Sequence, residues 1–182
     1  MHLTRRAFGL SAAASLLAGK SLAQISAGAG TLTTVSDGHL VLPAGFYRDP
    51  LPQEGLEPQR EQLGLTSDTL KSPCTLALYR DADRTELFDA GSGPNFMPSA
   101  GEILDILDAA GVTADVVTDV VFTHAHAVHI CGVLDDFDDP LFPSATHHIG
   151  QDEAYYGLNP ATVQLIGVTR AAFGVVAKTR LE

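Results

Sequence analysis

The spacing of apolar positions changes along the chain, and each change marks a different element. Thr31 to Val35 and His39 to Leu42 are short strand-like runs on either side of Asp37-Gly38, a dipeptide that favours a tight turn, so a β-hairpin is predicted there. From Pro43 to Ser72 no period is sustained, and Pro50, Pro52 and Pro58 punctuate a stretch that reads as a long surface excursion. Cys74 to Tyr79 and Thr85 to Phe88 are β-rich runs flanking the polar turn Arg80-Asp81-Ala82-Asp83, and the second leads into Asp89-Ala90-Gly91-Ser92-Gly93. Ser99 followed by Glu102 has the spacing of a capping box. After it, Ile103, Leu104, Ile106, Leu107 and Ala110 form a helical stripe that Gly111 closes. Val116 to Phe122 is an almost continuous β-branched run, the pattern of a strand buried on both faces. Thr146 to Ile149 predicts one more strand. Asn159-Pro160 predicts the start of a long helix running to about Thr179, because Asn caps well and Pro is tolerated in the first turn. Strands alternating with helices predict an α/β layered domain over 31–182, preceded by a small-residue spacer over 24–30.

Composition narrows the class. With 182 residues, 45% of them hydrophobic, the chain can bury one ordinary core, which excludes a disordered chain. Eleven Lys and Arg against 22 Asp and Glu leave a formal charge of −11, so no nucleic-acid partner is expected. Cys74 and Cys131 allow at most one disulfide, and the sequence leaves open whether they pair. Residues 1–23 resemble a twin-arginine signal: Arg5-Arg6 precedes a small-residue apolar stretch, no acid occurs before Asp37, and Ser21-Leu22-Ala23 supplies the small residues of a cleavage site. The apolar stretch is too short and too rich in Ala, Ser and Gly to cross a bilayer. A periplasmic or secreted mature chain without a membrane span is therefore expected, and loss of Arg5, Arg6 and Lys20 takes the formal charge from −11 to −14.

The chemistry is concentrated in Thr123-His124-Ala125-His126-Ala127-Val128-His129-Ile130-Cys131-Gly132, directly after the β-branched run. Three imidazoles within six residues of a loop can converge on one point, and neutral imidazole is a common zinc ligand. This segment resembles the His-x-His-x-Asp-His signature of the metallo-β-lactamase superfamily. Leu87-Phe88-Asp89-Ala90-Gly91 is similar to the Asp-x-Gly element of that family, and the order of strand, Asp-x-Gly, capped helix, strand and His cluster matches as well. Phe142-Pro143-Ser144-Ala145-Thr146 and His148-Ile149-Gly150 look most like exported lactonase and organophosphate-hydrolase relatives. The resemblance implies an αβ/βα layered sandwich, of which this chain supplies the N-terminal half plus a following helix. It implies one or two zinc ions, with His124 and His126 on the first, His129 on the second, and Asp89 steadying the His loop from behind. A metal-activated hydroxide would then attack a small lactone or ester.

Two departures from that pattern predict an impaired site. Val128 occupies the place of the signature Asp and has no lone pair to give a metal. The later His and Asp ligands of the family have no counterpart after His129, where the only histidines are His147 and His148, so the chain reads as truncated. Cys131 and His148 are two further donors, although a small buried thiol and an ordinary strand histidine are the plainer readings of them. Two expectations follow: a metal-dependent hydrolase with reduced zinc occupancy, or a non-catalytic member that binds metal weakly or acts as an interaction surface. Self-association into a homo-oligomer is a further expectation, because a half-sandwich leaves one sheet face uncovered.

Overall fold

The structure, a computed structural model, describes residues 23–62, 64 and 67–181. The export segment expected over 1–23 lies outside the described residues except for Ala23. Six strands form one mixed sheet in chain order: β1 (Gln24–Ala27), β2 (Gly30–Pro43), β3 (Thr69–Arg80), β4 (Thr85–Phe88), β5 (Asp119–Phe122) and β6 (Thr146–Ile149). The first four run antiparallel, and β4, β5 and β6 run parallel. The helices are α1 (Gly45–Arg48), α2 (Gln53–Gln62), α3 (Ile103–Ala109), α4 (Ala127–Ile130), α5 (Gln151–Leu158), α6 (Thr162–Leu165) and α7 (Val168–Leu181). Among the described residues no helix is long and apolar enough to cross a membrane.

Strand alternation builds the core. Val35, Leu76, Leu78, Leu87 and Val120 point to one face, where Ile103, Ile106 and Leu107 of α3 pack with Ile130, Val133 and Phe142. Each fully buried aliphatic side chain contributes roughly 1.5–3 kcal/mol. The row on the opposite face, Thr34, Ala77, Phe88, Val121 and His148, stays exposed or half-buried. A mixed sheet with α3 and α4 packed on one face is the layered α/β arrangement expected from the sequence.

The predicted hairpin at Asp37-Gly38 is instead a bulge within the single long strand β2, whose register with β3 shifts between Ser36 and His39. Asp-Gly serves both outcomes, because each needs a positive φ, and Gly38 has φ +89°. The bulge turns Asp37 inward, where its buried carboxylate accepts from Ser92 N–H at 2.8 Å, Ser92 Oγ–H at 2.6 Å and Ile103 N–H at 3.1 Å. Asp37 thereby caps α3 from a distant strand, and the expected capping box is not used: Ser99 Oγ donates to the His39 carbonyl instead. The other end of α3 agrees with expectation. Gly111, at φ +71°, follows the helix, with Gly111 N–H to Asp108 O and Val112 N–H to Leu107 O, both at 2.9 Å, forming a Schellman close.

The expected loop from Pro43 to Ser72 contains α1 and α2, and pairing of Thr69–Ser72 with Leu40–Pro43 extends β3 backwards, because a ladder with β2 overrides a weak local pattern. The spacer expected over 24–30 forms the edge strand β1 and its turn. The run from Val116 is a strand only from Asp119: Ala114–Val116 is a 3-10 turn, and burial in β5 alternates rather than covering both faces. The long helix from Asn159 to about Thr179 is broken. Gly167 at φ +81° separates α6 from α7, and a further helix, α5, precedes Asn159. Asn159 is not the cap: its Oδ1 accepts from Ala161 N–H at 2.9 Å in an Asx turn ahead of α6, whose N-cap is Ala161 and has no side-chain cap bond.

Candidate metal centre

The parallel strand β5 ends at Phe122, and the four residues after it carry the chain to α4. His126 is extended, with φ −70° and ψ 143°. In an extended segment side chains two apart share a face, so His124 and His126 point to one side and Ala125 to the other. One turn of α4, with His129 N–H bonded to His126 O at 2.8 Å, brings the third imidazole back beside them. The His124 ring centroid lies 4.4 Å from that of His126 and 4.1 Å from that of His129.

Asp89 organises these rings. It sits at φ +67°, in the left-handed region that only a few non-glycine residues adopt, immediately after β4. Its Oδ1 accepts from Thr123 N–H at 2.8 Å, both its oxygens lie within 2.9–3.0 Å of Thr123 Oγ1, and its Oδ2 lies 2.9 Å from His129 Nδ1. Burial pushes the Asp89 carboxyl up, and the bonds from His129 and Thr123 outweigh it, holding the group below the ordinary carboxylate value. An ionised carboxylate only accepts, so His129 carries a proton on Nδ1, and in the neutral ring the lone pair is then on Nε2. The Thr123 hydroxyl likewise donates to Asp89, leaving its own lone pair for His124 Nδ1–H at 2.9 Å. His124 Nε2 therefore also keeps a lone pair, which accepts from His126 Nδ1–H at 2.9 Å. Burial, followed by the neighbouring His129 and His126, lowers the proton affinity of His124 and keeps its ring neutral.

Gly132 lets the two loops meet. A Cβ there would run into the Ala90 carbonyl, and in its absence Ala90 N–H bonds His129 O at 2.8 Å and Gly132 N–H bonds Gly91 O at 3.0 Å. Among the described residues no group of three or more His, Cys, Asp and Glu side chains is gathered closely enough to hold a metal as it stands. The imidazoles are the right donor type for zinc, and an ion could sit over the His124–His126 pair once the proton between their nitrogens moves to His126 Nε2. Two zinc-bound nitrogens at tetrahedral angles sit about 3.3 Å apart, a few tenths of an ångström wider than this pair.

His126, Val128 and His129 line one wall of a cleft of about 280 Å³, whose other walls include Leu40, Tyr47, Pro73, Cys74 and Leu76. Position 128 thus faces the cleft with an isopropyl group. A wider depression of about 500 Å³ lies between Pro43–Pro50 and Ile166-Gly167 and holds one carboxylate, Asp49, and no imidazole. Cys131 is buried and its thiol is pushed up to about 11 by that burial, so it is protonated at neutral pH. His148 lies on β6 with Nε2 2.8 Å from Asp119 Oδ1, at the end of β5 remote from His124. His147 stacks on Phe122 with ring centroids 6.0 Å apart. Both cysteines are free thiols. The sequence did not reveal Glu153 of α5, whose Oε1 accepts from Ala125 N–H at 2.8 Å across 28 residues.

No protein-family profile matches this chain, and no curated protein does. Solved structures do match. AidC, a dizinc quorum-quenching lactonase solved with a product, N-hexanoyl-L-homoserine, superposes with TM-score 0.74 at 21% identity, covering 88% of this chain and 57% of that one. The chain carries the metallo-β-lactamase fold. The hydrolase AbOPH, described as of the beta lactamase superfamily, agrees with TM-score 0.73 at 23% identity over 88% of this chain and 55% of that one. A probable metal-dependent hydrolase from Staphylococcus aureus gives 0.62 at 18% identity over 81% and 53%. The chain therefore spans just over half the length of each of these three solved structures.

Proposed function

We propose that this metallo-β-lactamase-fold chain is a metal-dependent hydrolase of lactone- or ester-type substrates with an impaired metal site, exported by the twin-arginine route. The observation that carries the metal reading is the wiring of Asp89. A ligating histidine ordinarily gives its other ring N–H to a carboxylate or a neighbouring acceptor, and Asp89 provides this for His129 directly and for His124 through Thr123. His124 Nε2, His126 Nδ1 and His129 Nε2 are the nitrogens that would hold zinc, His126 first moving to Nε2 the proton that Nδ1 donates to His124. A bound zinc supplies Lewis acidity and brings the pKa of water near neutrality. The substrate class rests on the fold neighbours, one of which is a dizinc lactonase bound to its product.

Impairment follows from one position within the His cluster. Val128 stands where the resemblance places a carboxylate ligand, and its side chain has no lone pair to give a metal. Val128 also favours the second reading, a non-catalytic member that holds metal weakly. Hydrolysis of a small lactone and an aryl ester, measured with and without added zinc for the unmodified chain and Val128→Asp, separates the two. Turnover that is small, chelator-sensitive and raised by Val128→Asp supports the impaired hydrolase. Turnover absent in both chains supports the non-catalytic reading, and robust turnover by the unmodified chain contradicts impairment.

A further inference from the structure

The peptide between the two converging imidazoles is held from outside its own loop. Residues 123–126 lie beyond β5 and before α4, so neither a ladder nor a helix fixes them. Two carboxylates grip this segment: Asp89 at Thr123 N–H and Glu153 at Ala125 N–H, each at 2.8 Å. Ala125 is 6% exposed and points away from the cleft, toward α5. Four residues after Glu153, on the same face of that helix, Gly157 comes so near that a Cβ added to it would lie 3.7 Å from Ala125 Cβ and 2.5 Å from Leu181 Cδ1. The helix thus presents an acceptor and a flat glycine to the reverse side of the His-Ala-His bridge.

We propose that Glu153 is a positioning residue: by fixing the Ala125 peptide it sets the separation and tilt of His124 Nε2 and His126 Nδ1, and through them the affinity for a zinc-sized ion. The inference rests on reading His124 and His126 as metal ligands. Rotation of either peptide flanking Ala125 swings one imidazole relative to the other. The two nitrogens, hydrogen-bonded to each other at 2.9 Å, must give up the proton between them and open by a few tenths of an ångström to take zinc, so small rotations decide whether the pair closes on an ion. Losing Glu153 as acceptor releases the bridge and leaves a largely buried N–H to find another partner. The carboxylate has sufficient length to reach, and an aspartate, one methylene shorter, does not.

Glu153→Gln keeps the acceptor and the length while removing the charge; Glu153→Asp keeps the charge and loses the reach. Zinc affinity, measured by chelator competition on the full chain, is expected to stay within about threefold of the parent in Glu153→Gln and to fall about tenfold or more in Glu153→Asp. The ring nitrogen and proton shifts of His124 and His126, read by NMR on the metal-free chain, are expected to move in Glu153→Asp and to stay in Glu153→Gln. The reverse pattern, with Glu153→Gln weakened and Glu153→Asp unchanged, assigns the effect to charge and overturns positioning, as does an absence of change in both. If the parent binds no zinc, or if His124→Ala leaves binding intact, the ligand reading fails. The metal-free ring shifts then still decide the positioning role.

Discussion

Replacing Asp89 by Asn separates the electrostatic design of the site from its packing. The amide is nearly isosteric, and Asn tolerates the left-handed backbone that Asp89 occupies at φ +67°. One side of the new group remains an acceptor for Thr123 N–H, but the other presents an N–H to His129 Nδ1, which already carries a proton. His129 must then move its proton to Nε2, the nitrogen needed by a metal. If the amide flips, His129 is satisfied and Thr123 N–H faces a donor instead, so either orientation loses one buried interaction at about 1–3 kcal/mol. Loss of the partner behind a ligating histidine ordinarily costs 10–100-fold in metal affinity, about 1.4–2.7 kcal/mol. We therefore expect Asp89→Asn to fold, to show the His129 Nε2–H tautomer in long-range nitrogen–proton NMR spectra, and to bind zinc 10–100-fold more weakly in a chelator-competition titration. An unchanged His129 tautomer together with unchanged zinc affinity would refute the reasoning.

Three further outcomes follow from particular contacts. Gly132→Ala is expected to destabilise the chain by about 1–3 kcal/mol in urea unfolding and to shift the His129 ring resonances, since its Cβ would collide with backbone at Ala90; a neutral variant would mean the two loops separate at little cost. The buried Cys131 thiol, raised from 9.0 to about 11, contributes stability that is complete below pH 9 and is lost as pH rises through 11. The loss approaches about 2 kcal/mol and should be missing in Cys131→Ala when both chains are melted across that range. The half-exposed sheet face around Ala77, Phe88 and Val121 is expected to drive self-association detectable by light scattering, and a strictly monomeric, cooperatively melting chain would argue against it.

What could be seen in the sequence was local. The Asp-x-Gly loop, the α3 stripe with Gly111, the strand Thr146–Ile149 and the His cluster each lie within about a dozen residues and carry their own signal. Contacts that join distant segments carried none. Asp37 reads as half of a turn dipeptide, and its task, capping α3 and tying down Ser92, lies 55 and 66 residues away. Ser99 and Glu102 match the capping pattern, yet Asp37 reaches the Ile103 N–H first and Ser99 is drawn to His39. Glu153 is one of many acids in an acidic chain, and only the approach of α5 to Ala125 distinguishes it. The helices of 43–72 and the break at Gly167 were missed because prolines and one glycine are compatible with either a loop or a capped helix.

The central claim, that His124, His126 and His129 form a metal site left incomplete by Val128, is tested most directly by zinc titration of the purified chain. Elemental analysis after dialysis against a mild chelator should accompany it, with each histidine in turn replaced by Ala. The account predicts weak binding of at most about one zinc per chain, substoichiometric after dialysis and lost in His124→Ala and in His126→Ala. Two tightly held metals per chain, or zinc retained when both His124 and His126 are gone, would contradict it.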